Sequence, residues 1–211
     1  MNYTGSADGM SGRTCTDPIE EKTRIQTASQ CAPVIAGIKV SNLLILEGVS
    51  PLTIMRLLDG TGLSFDYLYS GCNRKVWLVY WLEGMEEILA RPESQTFLRL
   101  LGYRDFSSSA VLAHLKERYQ AYLCRGEAYP HELGLLLGYP LADVQGFMKN
   151  RGKNYLYSGY WKVYSNAEDA KKTFARYTQV RQEAVRFVRE GKRFWEMAGG
   201  FTLQSPAVAA V

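Results

Sequence analysis

Short apolar runs in the first half of the chain indicate strands. Residues 42–46 and 76–82 are almost wholly apolar and only five to seven residues long, which is typical of buried strands. Residues 63–69 alternate apolar and polar positions, which is typical of a half-buried strand. A turn at 71–74 separates that strand from the apolar run, so the two strands are expected to form a hairpin.

Proline and glycine positions set the ends of the helices in this half. Asp17-Pro18 is an N-cap followed by proline at the first helical position, and the helix is expected to reach about Gln30. We expect the segment Cys31-Ala32-Pro33 to break that helix or to restart it. Ser50-Pro51 starts a second helix that ends at Gly60 and connects the first two strands by a right-handed crossover. The first half is therefore a small β-α-β-β layer.

Helical spacing of apolar residues dominates the second half. Helices are predicted over 86–90, from 92 to about 102, and over 107–124, 130–137, 141–150 and 166–191. The helices at 130–137 and 141–150 flank a Gly-Tyr-Pro break and form an αα-hairpin. Residues 154–164 alternate aromatic positions and predict one extended aromatic segment. The predicted fold class is α+β: the small β-α-β-β layer, followed by this mainly helical half.

Length and composition predict the domain organisation and the cellular location of the protein. A chain of 211 residues with 46% hydrophobic and 22% charged residues is typical of a globular protein that can bury a large core. We expect one domain over 17–198, a disordered arm over 1–16 and a flexible tail over 199–211. No apolar run approaches the roughly 20 residues that cross a bilayer, and residues 1–16 lack the apolar part of a secretory signal. A cytoplasmic location without a membrane partner is therefore expected.

Basic residues are concentrated late in the chain. Residues 145–193 contain 12 Lys and Arg against 4 Asp and Glu, a surplus of 8, although the whole chain carries only +4. Such a surplus suits a surface that faces a polyanion, and it equally suits a solvated helix face. The four cysteines form no CxxC pair and have no zinc-ribbon spacing, so cysteine spacing predicts no metal site; they are Cys15, Cys31, Cys72 and Cys124.

Three segments within residues 130–164 carry a family resemblance. PHELGLLLGYP, DVQGFMKNRGKN and GYWKVY resemble an uncharacterised bacterial family, the domain of unknown function 3793. A second match is CAPVIAGIK at 31–39, and the resemblance covers most of residues 18–193. The family has no established activity, cofactor or substrate, so the resemblance implies no chemistry.

Cys31, His131 and Glu132 form the first candidate catalytic site. A thiol becomes a nucleophile or a metal ligand when a base or a cation lies beside it, so Cys31 and His131 would act as a thiol–imidazole pair or as ligands of iron or haem. The alternative is that Cys31 packs in the core and His131 caps a helix. Candidate ligand-binding residues around this pair are Lys39, Asn150, Asn154, Trp161 and Lys162.

The αα-hairpin provides a second candidate site, for nucleic acid. Its two helices have roughly the lengths of a helix-turn-helix, and Lys149, Arg151 and Lys153 follow the second helix. That helix is mostly apolar, however, and Asp143 would repel phosphate, so an αα-hairpin in a helical core is the competing interpretation. The aromatic segment that follows suits stacking on bases or flat cofactors, and it also suits a half-buried strand.

These residues support one leading function and two alternatives. The leading expectation is a cytosolic small-ligand-binding or redox-accessory protein with a site near Cys31 and His131. A nucleic-acid-binding module is the first alternative and a protein-interaction scaffold is the second. The sequence has no Gly-x-Ser-x-Gly, HExxH or P-loop motif, and it assigns no reaction, cofactor or oligomeric state.

Overall fold

The computed structural model describes residues 18–71 and 74–200. Its elements are α1 Pro18–Ile35, β1 Ser41–Leu46, α2 Pro51–Leu58, β2 Ser64–Ser70, β3 Lys75–Tyr80, α3 Leu82–Ala90, α4 Pro92–Leu100, α5 Ser108–Arg125, α6 Glu132–Leu136, α7 Leu141–Lys149, β4 Tyr157–Ser158, β5 Lys162–Val163, α8 Ala167–Arg189 and α9 Phe194–Gly200. The α+β class is confirmed. The arm expected over 1–16 and most of the tail expected over 199–211 lie outside the described residues, as do Cys15 and Cys72.

Strand β3 lies at the centre of a three-stranded antiparallel sheet. The strand order is β1-β3-β2, with Ser41 and Ser64 both opposite Tyr80. The predicted β2–β3 hairpin is confirmed. The two strands of the expected β-α-β unit run parallel, but they are not neighbours, because β3 pairs between them. Strand β3 takes the central place because it is apolar on both faces and buried along almost its whole length.

The two faces of β3 belong to two separate hydrophobic cores. Trp77 and Val79 pack with α1, α2, α8 and α9, whereas Val76 and Leu78 pack with helices α3 to α7. Neighbouring residues of a strand point to opposite faces, so the sheet separates the two cores. None of the helices in the described ranges has the length and apolar character that a bilayer crossing requires.

Helix α1 continues through Pro33, so the expected break there is wrong. Pro33 lies close to the C-terminal end of the helix, where a missing N–H removes only one intrahelical hydrogen bond. The Pro33 carbonyl accepts hydrogen bonds from the N–H groups of Ile38 (2.9 Å) and Lys39 (3.0 Å), which close the helix end. Cys31, with no exposed surface, shows how completely this last part of the helix is buried. Tertiary packing therefore outweighs the local effect of proline.

The predicted extended aromatic segment is a tight hairpin, with β4 paired to β5. Gly159 lies at its turn, and a Cβ atom there would come within 2.2 Å of the Phe174 ring on α8. Only glycine allows this approach of the turn to the helix. Alternation of aromatic residues in the sequence does not reveal such a contact, because the partner lies 15 residues further along the chain.

Helices α6 and α7 form the αα-hairpin that the sequence predicts. The chain reverses at Gly138, whose φ is +73°, and Tyr139 N–H donates to the Gly134 carbonyl (3.0 Å). A Cβ atom on Gly134 would lie 3.0 Å from the Val144 side chain, so the two helices approach closely. The hairpin therefore depends on glycine at both positions.

Glu132 anchors the start of α6 in the core. Its carboxylate is fully buried and accepts hydrogen bonds from the Tyr103 hydroxyl (2.9 Å) and from Arg118 Nε (2.5 Å). Burial, together with the charge of Glu132, raises the pKa of Tyr103, so the phenol stays protonated and donates. The sequence made Glu132 a candidate catalytic residue. In the structure it forms a buried ion pair with Arg118 that anchors α6.

Replacing Glu132 with alanine is expected to lower the free energy of unfolding by about 3 kcal/mol, because the Arg118 charge loses its buried partner. Glu127 is the matched control, since it pairs with Arg125 at 2.6 Å with both side chains exposed. Glu127→Ala should cost less than about 1 kcal/mol. Urea denaturation of both variants measures the difference, and equal losses would contradict the anchoring role of Glu132.

Candidate functional site

A cleft of about 670 Å³ opens beside the αα-hairpin. It is bounded by the end of α5, by α6 and α7, and by the β4–β5 hairpin, and Leu43 of β1 contributes to its lining. Its large side chains are mostly aromatic: Tyr122, Tyr129, His131, Tyr139, Phe147 and Trp161, with the aliphatic stem and ammonium group of Lys162. Aromatic residues interrupted by a few polar groups are typical of small-molecule sites.

One wall of the cleft is a row of four rings. Tyr122 contacts Tyr129 (5.1 Å between centroids), Tyr129 contacts His131 (5.5 Å), and His131 contacts Phe147 (5.7 Å). The row runs from α5 across the start of α6 to α7. His131 is held in it because the next residue, Glu132, is fixed in the core. We call this row the first wall.

The second wall consists of Tyr139 and Trp161. Their rings stack with centroids 4.9 Å apart and an angle of 25° between the planes. Trp161 also contacts Phe174 of α8, with ring centroids 4.4 Å apart and perpendicular planes. Aromatic rings therefore line two sides of the cleft.

Asp143 holds Trp161 in place. Its carboxylate is 2% exposed and accepts hydrogen bonds from Trp161 Nε1 (2.8 Å), Tyr164 N–H (2.8 Å), Ser165 N–H (2.9 Å) and the Ser165 hydroxyl (2.8 Å). Four donors compensate the cost of burying the charge. The carboxylate thus joins α7 to the segment between β5 and α8, and its oxygens are already occupied at the edge of the cleft.

Lys162 is the cation of the cleft. Its ammonium group donates to the Gly152 carbonyl (2.7 Å) and lies 5.7 Å from the centre of the Phe147 ring. In the described part of the chain, no carboxylate lies within ion-pair distance of this group. An ammonium group has three donors, so Lys162 retains donors for a bound anion.

The His131 imidazole is a neutral polar group in the first wall. Burial lowers its pKa; the nearby Glu132 carboxylate raises it and Arg118 lowers it, with a net downward shift from 6.5. The ring is therefore uncharged near neutral pH. No hydrogen bond to either ring nitrogen occurs within the described ranges, so His131 has one donor and one acceptor for a ligand.

Cys31 does not line this cleft with His131. It packs with Trp77 and Val79 in the core on the other face of the sheet, whereas the helices around His131 cover the opposite face. Burial raises the pKa of the Cys31 thiol to about 12, despite the lowering effect of the Lys39 charge, so the thiol is protonated. The geometry corresponds to the alternative in which Cys31 is a core residue.

Lys39 lies behind the second wall. Its side chain is 5% exposed, donates to the Asn42 side-chain oxygen, and lies 5.3 Å from the centre of the Tyr139 ring. Burial lowers the pKa of Lys39 to about 8, and the nearby Cys31 opposes this shift. Lys39 contacts a residue of the cleft without lining the cleft itself.

The other candidates from the sequence divide into cleft residues and loop residues. Trp161 and Lys162 line the cleft. The Asn150 amide donates to the Gly146 carbonyl (2.9 Å) at the end of α7, and Asn154 has a φ of +57° in the following turn. Both asparagines therefore shape the loop, and neither lines the cleft.

The exposed face of helix α7 offers few groups for recognising DNA. Asp143 and Val144 are buried, and the exposed positions Ala142, Gln145 and Lys149 offer one amide and one cation to a base edge. That face is a poor reader of bases. Lys149 ends the helix, and Arg151 and Lys153 are exposed in the turn after it.

The sequence did not identify the cleft residues Tyr139 and Phe147, nor the role of Asp143. Tyr139 stands in the Gly-Tyr-Pro break, and Phe147 belongs to the apolar face of the second hairpin helix, so neither had a signal of its own. Of the first wall, only His131 was a candidate. The signal that could have indicated the role of Asp143 is its position as a single acidic residue on a mostly apolar helix. If such a carboxylate is buried, it requires hydrogen-bond donors from elsewhere in the chain.

A smaller cleft of about 360 Å³ lies between β2 and α5, where the Tyr80 hydroxyl donates to Asp66 (2.7 Å) and Lys116 lies over Tyr67. Among the residues described, no three His, Cys, Asp or Glu side chains are grouped closely enough to hold a metal ion.

Cys31 is expected to be unreactive in the folded protein. In a variant whose other three cysteines are serine, reaction of Cys31 with Ellman's reagent should proceed only through unfolding, because the thiol is buried and protonated. A variant that retains only the exposed Cys124 is the control, and it should react roughly 100-fold faster. Fast reaction of Cys31 would contradict its burial and restore the thiol–imidazole hypothesis.

Lys39 is expected to make folding more favourable as the pH rises. Its pKa is about 8 in the folded protein and 10.5 in the unfolded chain, so the unfolded state binds more protons between these values. The free energy of unfolding should rise by about 2 kcal/mol between roughly pH 7 and pH 9.5, relative to Lys39→Met. Urea denaturation of both proteins across this range measures the effect.

The raised pKa of Cys31 lowers the free energy of unfolding above about pH 9 in both proteins. Subtracting the pH dependence measured for Lys39→Met from that of the wild type removes this opposing contribution. Parallel curves for wild type and variant would show that Lys39 titrates normally.

Comparison with known proteins assigns the chain to a family but gives no function for it. No curated protein and no solved structure matches the chain. A family model described as "Protein of unknown function (DUF3793)" matches residues 27–198, which includes the sheet, both cores and every residue of the cleft. The chain therefore belongs to the DUF3793 family of proteins of unknown function.

Proposed function

We propose that the protein binds a small planar aromatic molecule that carries a negatively charged group, and that the cleft beside the αα-hairpin is the binding site. The observation that carries this proposal is the ammonium group of Lys162, which lies in an aromatic cleft without a carboxylate partner in the described residues. An unpaired cation between apolar surfaces is an attractive position for an anion.

The shape of the cleft supports a planar ligand. A volume of about 670 Å³ lies within the usual range of small-molecule sites. The stacked pair Tyr139 and Trp161 lines one side of the cleft, and His131 and Phe147 belong to the row of rings that lines the other. An aromatic ligand would gain apolar burial and offset stacking on these surfaces.

The charge of the cleft supports an anionic group on that ligand. Asp143 is the acidic residue in the lining, and four protein donors already satisfy its carboxylate. Lys162 supplies positive charge, and the neutral imidazole of His131 supplies one donor and one acceptor. A carboxylate, sulfonate or phosphate on the ligand would find its partner at Lys162.

The proposal concerns binding rather than catalysis. The thiol of Cys31 lies in the other core, so the geometry gives no support to a redox role for it. We keep a cytoplasmic location in the proposal, supported by the free thiols of Cys31 and Cys124.

The fluorescent probe 1-anilinonaphthalene-8-sulfonate, an aromatic anion with a planar naphthalene ring system, tests the proposal by titration. Replacing Phe147 with alanine should weaken its binding about tenfold, because the ligand loses one aromatic surface. Lys162→Met should weaken it about fivefold and leave the uncharged probe N-phenyl-1-naphthylamine unaffected, since only the sulfonate needs the cation.

Lys116→Met is the matched control, because Lys116 also lies over an aromatic ring, 5.9 Å from Tyr67, but outside this cleft. It should leave the affinity for both probes unchanged. Sulfonate binding that Phe147→Ala and Lys162→Met do not alter would refute the site.

A further inference from the structure

An exposed apolar and aromatic surface continues from the cleft onto the β4–β5 hairpin. Tyr155 is 45% exposed, Leu156 is 63% exposed and Tyr157 is 38% exposed. Three consecutive large apolar side chains with this exposure are unusual on a folded protein that contacts nothing there. Lys162 connects this surface with the cleft, because its ammonium group lies 5.0 Å from the centre of the Tyr155 ring and also lines the cleft.

Unpaired cations border this surface. Lys149 at the end of α7 is exposed, as are Arg151 and Lys153 in the turn that follows, and none of the three has an ion-pair partner in the part of the chain that the structure describes. On the other side, Lys171 of α8 lies 5.6 Å from the centre of the Tyr157 ring and pairs with Glu168 at 2.7 Å. The unpaired cations therefore lie on the side of the tyrosines that faces the end of α7.

The acidic residues of this region do not neutralise the turn. Glu168, Asp169 and Glu190 form their ion pairs with basic residues of α8 and the residues after it. Three of the 12 basic residues over 145–193, namely Lys149, Arg151 and Lys153, are therefore left without an acidic partner in the described residues.

Hydrogen bonds hold the backbone of the turn that carries Arg151 and Lys153. Gly152 N–H donates to the Phe147 carbonyl (2.9 Å), and Lys153 N–H donates to the Asn150 carbonyl (2.9 Å). The Gly152 carbonyl in turn accepts from Lys162 (2.7 Å), which ties the turn to the cleft. A ligand that bridges the turn and the cleft would meet a backbone that is already ordered.

We propose that the aromatic ligand of the cleft is a nucleobase of a single-stranded nucleic acid. Its phosphates would lie along Lys149, Arg151 and Lys153, and its neighbouring bases would stack on Tyr155 and Tyr157. This inference rests on the proposed function, because it specifies the planar anionic ligand of the same cleft. Aromatic platforms beside a row of cations form the usual surface for single strands.

The same observations favour a single strand over the other polyanions. A duplex keeps its bases stacked on one another, so it would leave the tyrosines and the cleft without a partner. An acidic peptide would pair with the cations but would supply no aromatic ring for the two walls. Only a strand with free bases uses the cations, the exposed tyrosines and the cleft together.

Fluorescence anisotropy with labelled oligothymidylate and oligouridylate of about 12 nucleotides tests this inference on the full chain, since single-strand sites span roughly this length or less. Both strands should bind, and the two probes show whether DNA or RNA is preferred. Raising the salt from about 50 to 200 mM should weaken binding roughly 16-fold, because three phosphate contacts give a slope of about −2.

Two variants separate the contributions of charge and stacking. The triple change Lys149→Ser, Arg151→Asn and Lys153→Ser should remove most of the salt dependence; asparagine is chosen because Arg151 has a φ of +51°, which asparagine tolerates. The double change Tyr155→Ser and Tyr157→Ser should weaken binding about tenfold and leave the salt dependence unchanged.

The control for charge removes three exposed arginines elsewhere, Arg56, Arg99 and Arg104, and should change affinity far less than the loop variant. Thermal unfolding of each variant confirms that it is folded. Oligothymidylate should also displace the naphthalene sulfonate probe from the cleft, whereas polyglutamate at equal charge should not.

Four results would overturn the inference: no binding of either strand at about 50 mM salt, equal affinity for a duplex of the same length, equal displacement of the probe by polyglutamate, or equal losses in the loop variant and the charge control. Each of them would leave the proposed function standing if the sulfonate probe still requires Phe147 and Lys162. Loss of that requirement would instead refute the proposed function itself.

Discussion

The buried carboxylate of Asp143 determines the shape of the cleft. A charge with 2% exposure is tolerated in this position only because four donors converge on it, and three of them come from backbone and side chain of the segment that leads into α8. The fourth donor is the indole N–H of Trp161. One side chain of α7 therefore fixes both the second wall of the cleft and the start of α8.

The central strand imposes a second constraint, which decides where chemistry is available. Because β3 is apolar on both faces, the sheet is covered on both sides, and the helices separate into two packed groups. Cys31 falls into one group and His131 borders the other. A pairing that looks reasonable in the sequence is thereby replaced by a protonated core thiol and a neutral imidazole in an aromatic row.

Much of the fold could be predicted because its signals are local. Ser50 and Asn166 accept hydrogen bonds at the starts of α2 and α8, and Gly126 ends α5 in the left-handed conformation, as their residue types indicate. Predictions were wrong where a distant contact decided the outcome. The burial of its last turn carries α1 through Pro33, and the approach of Phe174 turns the aromatic segment at Gly159.

The candidate site follows the same division. The sequence by itself determined that aromatic residues and cations accumulate around the αα-hairpin, and it identified His131, Trp161 and Lys162, because residue type and spacing are visible along the chain. Only the tertiary structure decided that Tyr122 and Tyr139 belong to the same cleft, since they come from separate elements. It also decided that Asp143 is an anchor rather than a repelling charge, because the donors that satisfy its carboxylate lie some 20 residues away and meet it only when the chain is folded.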